Sequence, residues 1–551
     1  MAVESTGEKK LFARRASGLV RVIGPFSALA FGVHNTSLSY SGTITLSWIP
    51  ALFPGVNAYW VLLIGGIWCA IQGTNYAMVG TLMPRAGADY VFNSRIWRPD
   101  LSFALSFVYV LYSAITSGTE CGMNSWWFSM MFQTLGRLYD KPEWVSLAQW
   151  FVSTPGYWTV GIITAVGLFI LMIMPTKVVV NYMNVTLILG NIMYGFIMLP
   201  LVLCTPAQWA AGWNAIMGAG NFEQVIPAAA SAGMTFVTDP TQLLIQTFNG
   251  AGLATFWIYY GWHIPVIFSG EVKEVEKSLI IAAWGTIFNT NFWFGSEVWA
   301  MNYLTSINWV ASEAFLSSTT VIGGVGTGPG GMATGAWPAL YALAGMKGLG
   351  WPRDIIAWQA IFININELLL EIALPACYWF YSSRLFFAFA FDRILPEKIA
   401  YLHPTLRSPV GAMVIMFIIS WVGIYMQAMV VGFPMAFIYS ACLVWILASA
   451  CTIVLRWRNR PLYDAAPWWI KKWGSLEIIG LITLIILLWN VLGIWVFLPP
   501  TAGALAVTPD MLYYMAALII IGFAIFHGSR LYRLKKEGFD LMDTFKAIPP
   551  A

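Results

Sequence analysis

Four carboxylates lie inside long apolar runs of this sequence: Glu120, Glu297, Glu367 and Glu371. No Lys or Arg sits deep enough in those runs to pair with them. An ionised acid at the centre of a membrane helix costs ~2.5 to 3.5 kcal/mol, so four would cost about 10 to 14 kcal/mol. Most are therefore protonated, hydrated in a cavity, or near a helix end. Asn364, Glu367 and Glu371 follow i, i+3, i+7 spacing, which puts them on one helix face, and carboxyl groups that share a site do not readily ionise together. Such a stripe either binds a proton or cation, or holds helices together as neutral acids. Glu297 falls close to the end of its run and reads as structural. Two of the four histidines, His34 and His263, also lie in apolar runs interrupted by glycine. Imidazole titrates near pH 6.5, so histidines beside a ligand would make its affinity change over roughly pH 5 to 7. The alternative is that each ring caps unwound backbone.

The elements that must position these groups are membrane helices. The 551 residues are 59% hydrophobic and 10% charged, with 29 Trp, against roughly 25% charged in an average soluble protein. Twelve runs can cross a ~30 Å hydrocarbon core: 22–50, 58–82, 101–132, 157–174, 178–204, 244–269, 278–304, 354–390, 410–429, 431–455, 475–498 and 510–531. With the N-terminus inside, all but Arg137, Lys141, Lys347 and Arg353 of the 29 basic residues fall on the cytoplasmic side. This is the positive-inside pattern of an even number of spans. The expected organisation is a cytoplasmic segment 1–21, spans one to five over 22–204, an outer loop 205–243, spans six to ten over 244–455 with an outer loop 305–352, spans eleven and twelve over 456–531, and a cytoplasmic tail 532–551.

Several function classes drop out. The six cysteines show no CxxC and no ladder of spacings, so neither a disulfide framework nor a metal site is indicated. No HExxH, P-loop or GxSxG is present. GGVGTGPGG formally matches GxGxxG at Gly326, Gly328 and Gly331, but no strand precedes it and the dinucleotide fingerprint needs a βαβ unit. The expectation is a non-enzyme with no cofactor beyond a coupling proton or sodium ion, and no nucleic-acid partner.

Two spans are interrupted alike. The first carries SALAFGVHNTSLSYSG, Ser27 to Gly42, and the sixth carries YYGWHIPVIFSGEVKE, Tyr259 to Glu274. Unwound backbone at membrane depth is tolerated only where it is buried or lines a cavity. Breaks in corresponding spans point to a transporter of two inverted halves; two packed, kinked helices are the alternative.

At the joints, GEVKEVEKSLIIA (Gly270 to Ala282), SSRLFFAFAFDRILPEKIAYLHPTLRSP (Ser382 to Pro409) and MPRAGADYVF (Met83 to Phe92) resemble the GEVKNPxRxIPxA, SRxxYAMARDGxLPxxFxxxHPxxxTP and PxxGGxYxY motifs of the amino acid-polyamine-organocation superfamily. The match covers about residues 15 to 455. The resemblance implies an all-α membrane fold, a five-plus-five inverted repeat with helices 1 and 6 broken, followed here by two C-terminal helices. It also implies secondary transport of an amino acid or amine. By that resemblance the substrate site comprises Gly32, Val33, His34 and Asn35 of the first break with Tyr260, Gly261, Trp262 and His263 of the second, so the two histidines lie near one another. The usual Gly-x-Gly reads Gly32-Val33-His34, and Gly-aromatic-Glu reads Gly261-Trp262-His263. Span five lacks the lysine that replaces sodium in some relatives, leaving Glu120, Asn364, Glu367 and Glu371 as coupling candidates. Glu271, Lys273, Arg384 and Asp392 form an inner gate or motif ion network. The expected protein is a multi-pass permease of the cell membrane. A non-transporting nutrient receptor or assembly subunit on the same fold is the reading from another class.

Overall fold

The computed structural model describes residues 19–318, 337–406, 408–429, 434–497 and 509–549. The glycine-rich stretch with Gly326, Gly328 and Gly331, most of the basic N-terminal segment and the start of the tenth predicted span lie outside them. Among the described residues, nine helices are long and apolar enough to cross a membrane, and they coincide with predicted spans two to five and eight to twelve. Of the remaining three, the seventh is one helix, Val275–Leu304. The first and sixth are broken. Large apolar side chains such as Ile163, Phe288, Trp358 and Ile485 stand more than half exposed on these helices, where lipid rather than water satisfies them.

Local chemistry explains where helices begin. Ser153 and Asp239 each precede a proline at the first turn, and each side chain accepts from a backbone amide three residues on. The two longest helices, Pro99–Leu138 and Arg353–Phe391, pack along one another. At 1.5 Å per residue each is roughly 60 Å long, about twice the hydrocarbon thickness. Their central faces carry small hydroxyls that let indole and phenol groups dock. Tyr381 donates to Ser113 Oγ at 2.9 Å, and Trp379 Nε1 to Ser117 Oγ at 2.9 Å.

The first span is three helical pieces, Pro25–Thr36, Leu38–Leu46 and Trp48–Leu52. The sixth is a helix Pro240–Trp257, an unwound stretch, and a single turn Ile264–Ile267.

The two connections expected as outer loops hold four further helices: Pro206–Met217, Asn221–Ser231, Ile307–Ser318 and Trp337–Gly348. They close around Trp209, Trp213, Phe222, Trp309 and Tyr341, with the Trp213 and Trp309 rings 5.1 Å apart. Their start is encoded locally, since Thr205 and Gln208 form a complete capping box around Pro206.

At the other end, the face bearing most basic residues, the twelfth helix Pro509–Glu537 runs on past residue 531. The tail then folds back. Asp540 is held by Arg530 at 2.8 Å, Phe545 lies 4.7 Å under the Arg95 guanidinium, and Arg85 Nε donates to the Pro549 carbonyl at 2.6 Å.

Candidate substrate and coupling site

The two broken spans touch at their glycines. A Cβ placed on Gly261 would lie 1.8 Å from the Gly32 carbonyl oxygen, and one on Gly32 would lie 2.2 Å from Thr286 Oγ1. Only bare backbone fits this crossing. Asn35 Nδ2 donates to the Tyr260 carbonyl, and Ser41 Oγ to the Trp257 carbonyl at 3.3 Å, so side chains of the first span satisfy carbonyls freed at the second break.

The sixth-span break spans Ile258 to His263, where it was expected. The first-span break differs. Gly32, Val33, His34 and Asn35 are all helical, and the chain kinks at Ser37, which takes φ 53° with its amide bonded to the His34 carbonyl. Thr36 Oγ1 caps the Val33 carbonyl at 2.6 Å.

The histidines part company. His34 Nε2 is 2.8 Å from the Met183 carbonyl and 2.9 Å from Thr186 Oγ1, both on the fifth span. His263 Nε2 is 3.1 Å from the Tyr109 hydroxyl of the third span. No hydrogen bond or ring contact joins the two imidazoles among the described residues. Each ring turns to the nearest hydroxyl-bearing helix on its own side, which overrides the expected pairing.

Around His263 the aromatic side chains converge. Its ring centroid lies 4.7 Å from Trp445 and 4.8 Å from Tyr260. Tyr260 donates to the Tyr109 hydroxyl at 3.2 Å, and Tyr109 stacks on Tyr381 at 5.7 Å. Phe437 closes on Tyr260 at 5.1 Å and on Tyr378 at 5.4 Å. Trp262 packs on the same group, 5.2 Å from His263 and 4.9 Å from Trp445, with Tyr76 of the second span at 5.1 Å. Trp257 packs edge-on to Trp48. Tyr109, Tyr378, Tyr381, Phe437 and Trp445 were not singled out from sequence, because aromatic residues make up 16% of the chain and only the fold selects the few that meet.

Next to Tyr378 lies the acid pair. Glu120 and Glu371 come within interaction range of one another, and two carboxyl groups that share a buried site do not readily ionise together. Both are buried, at 5% and 0% exposure. The eighth-span stripe thus reaches the third span at Glu371. Asn364 Nδ2 returns to the Ala360 carbonyl of its own helix, and Glu367 faces Glu297. Glu297 is 0% exposed, not near solvent as its place in the sequence implied. Helix Trp337–Gly348 accounts for this, since Tyr341 comes within electrostatic reach of the carboxyl.

The gate candidates split into two bidentate pairs at the basic face. Arg384 holds Glu271 at 2.7 and 3.0 Å, with its guanidinium 3.6 Å over Phe380. Asp392 is held by Arg95 at 2.7 and 2.8 Å and accepts from the Tyr90 hydroxyl at 2.9 Å. Arg95, on the short helix Ala88–Ile96, is the partner that sequence reasoning missed. Lys273 takes no part: its side chain is exposed and makes no ion pair among the described residues, and its contribution is an amide donated to the Ile23 carbonyl at 2.8 Å. That bond, with Val22 and Ile23 amides on the Glu271 carbonyl at 3.0 and 3.1 Å, stitches the start of the first span to the end of the sixth.

The family model described as amino acid permease matches residues 23–525. A search of curated proteins finds no match to the chain. The chain belongs to the amino acid permease family, with the all-helical, multi-pass membrane fold of that superfamily.

Proposed function

We propose that this permease is a secondary active transporter that carries an amino acid across the cell membrane by alternating access, with its basic face and both termini cytoplasmic. The observation that carries the reading is the crossing of two interrupted spans at Gly32 and Gly261, accompanied by an aromatic cluster and a buried acid pair. Backbone at helix breaks is where transporters of this architecture receive the charged ends of a zwitterion. Gly32, Val33, Asn35, Tyr260, Gly261 and His263 border that space, with His34 and Trp262 bracing it against the fifth and tenth spans. Glu120 and Glu371 are the coupling groups: one proton shared between them is released or taken up as the third and eighth spans shift. The ion pairs Glu271–Arg384 and Arg95–Asp392 close the cytoplasmic side and must part when it opens.

A second reading, transport of an amine, is favoured by the ring of Tyr109, Tyr260, Tyr378, Tyr381, Phe437 and Trp445, since aromatic faces attract an ammonium by ~0.5 to 2 kcal/mol. Uptake by purified protein in liposomes, against a panel of radiolabelled amino acids and amines with imposed proton or sodium gradients, separates the two. Accumulation of amino acids driven by a proton gradient, lost in Glu371→Gln with exchange retained, is the expected result. Uptake confined to amines selects the second reading, and no uptake of any panel member defeats both.

A further inference from the structure

Glu297 is wholly buried in the seventh span, and neither carboxyl oxygen has a hydrogen-bond partner among the described residues. An intramembrane ionisable group without a cationic partner marks a functional path by default. Three groups from three elements come within electrostatic reach of it: Tyr194 of the fifth span, Glu367 of the eighth and Tyr341 of helix Trp337–Gly348. Packing shows the same convergence. A Cβ on Gly42 would meet the Tyr194 hydroxyl at 2.2 Å, the Phe294 ring at 3.3 Å and Pro338 at 3.5 Å. Phe294 and Pro338 each lie one helical turn before Glu297 and Tyr341.

The line continues in both directions. Tyr341 donates to Glu313 Oε2 at 3.1 Å, and Glu313 is only 4% exposed on helix Ile307–Ser318. Toward the centre, Glu367 has an unpartnered Oε2 and sits one turn from Glu371 on the same helix. Buried acid groups and a hydroxyl therefore succeed one another from the helices opposite the basic face to the Glu120–Glu371 pair.

We propose that Glu313, Tyr341, Glu297 and Glu367 form a proton relay that connects the outer face to the Glu120–Glu371 pair. The proposal rests on the coupling role given to that pair above. In each hop a carboxylic acid passes its proton to the neighbouring carboxylate, and the tyrosine hydroxyl gives one proton as it takes another, so no group changes its net charge over a full passage. A proton is the fitting ligand.

The test uses the full chain in liposomes with a trapped pH-sensitive dye and the radiolabelled panel member that the wild type takes up fastest. Glu297→Gln and Tyr341→Phe should each lose proton-driven accumulation by about tenfold, within the roughly 5- to 150-fold range of coupling between sites. Exchange at equal pH should stay within about twofold, which also reports folding, and Glu297→Asp should restore accumulation. Wild-type accumulation in Glu297→Gln and Tyr341→Phe, with loss confined to Glu371→Gln, overturns the relay and leaves the acid pair as the coupling site. Loss of exchange together with accumulation in properly folded Tyr341→Phe makes these groups part of transport itself, and also overturns it. A wild type driven by sodium alone removes both the relay and the coupling reading.

Discussion

Gly261 stands against Gly32 so closely that the Gly32 carbonyl oxygen occupies the space a Gly261 side chain would need, 1.8 Å from the Cβ position. The neighbouring atom is backbone in a buried helix and cannot swing away. Gly261→Ala should therefore abolish exchange and lower stability by at least the ~1 to 3 kcal/mol typical of overpacking. Gly167→Ala is the control: nothing lies within 4 Å of its Cβ position, and alanine in a helix is favoured over glycine by roughly 0.5 to 1 kcal/mol. Thermal unfolding in detergent with exchange measured in liposomes checks both; an active Gly261→Ala would contradict the crossing.

The Glu271–Arg384 pair, 1% exposed on both sides, should behave as a buried ion pair. Glu271→Gln leaves the guanidinium unpaired and should cost about 3 to 5 kcal/mol, whereas Glu271→Leu with Arg384→Met should be far milder. The comparison is made by melting temperature, and equal losses in the two proteins would count against the pair's desolvation.

Asp89 titrates where stability can be followed. It lies on the short helix between spans two and three, and burial raises its pKa from 3.8 to about 6, opposed by a hydrogen bond from the Tyr90 amide. The folded state thus favours the protonated acid. Its contribution to stability is full below the unfolded pKa of 3.8 and is lost as pH rises through about 6. At 1.36 kcal/mol per unit the loss amounts to about 3 kcal/mol. Asp89→Asn should flatten the decline of melting temperature between roughly pH 4 and 6; an unchanged slope assigns it to other groups.

The two histidines should separate in kind. His263→Gln removes the ring among Tyr109, Tyr260 and Trp445 and should weaken substrate affinity roughly fivefold or more, the loss of one good hydrogen bond. His34→Leu loses its bonds to Met183 and Thr186, and should instead lower stability by about 1 to 3 kcal/mol. Affinity and melting temperature are read for both; a reversed pattern would move the site toward the fifth span.

Orientation is open to direct labelling. The six native cysteines are all buried, which keeps background low. Ser153→Cys, at the start of the fourth span, should react with an impermeant thiol reagent in intact cells. Asn459→Cys, after the tenth, should react only after lysis, and the opposite result inverts the topology.

Spans were legible because a run of ~20 apolar residues has few other uses; the second, expected at 58–82, is the helix Ala58–Leu82. The sixth-span break was legible from Gly261 and Pro265. The first-span kink was not, since it falls on Ser37, a residue type with no preference for positive φ. The four helices opposite the basic face are too short to register as spans, although Thr205, Pro206 and Gln208 announced one of them. Contacts between distant segments were invisible in principle. Nothing near Asp392 in sequence names Arg95, and nothing near Glu313 announces that the Tyr341 hydroxyl donates to it.

The stitch between Ile23 and Val272 has a kinetic consequence. The amides of Val22, Ile23 and Lys273 lie outside any helix, yet each is bonded across two segments that belong to different spans. Their protons can exchange with solvent only when those segments part, whereas amides within the long helices exchange through unfolding of the helix itself. These three positions therefore form a native clock for opening of the basic face, readable by deuterium uptake without a label. A ligand that holds that face shut would slow it while leaving the helices unchanged.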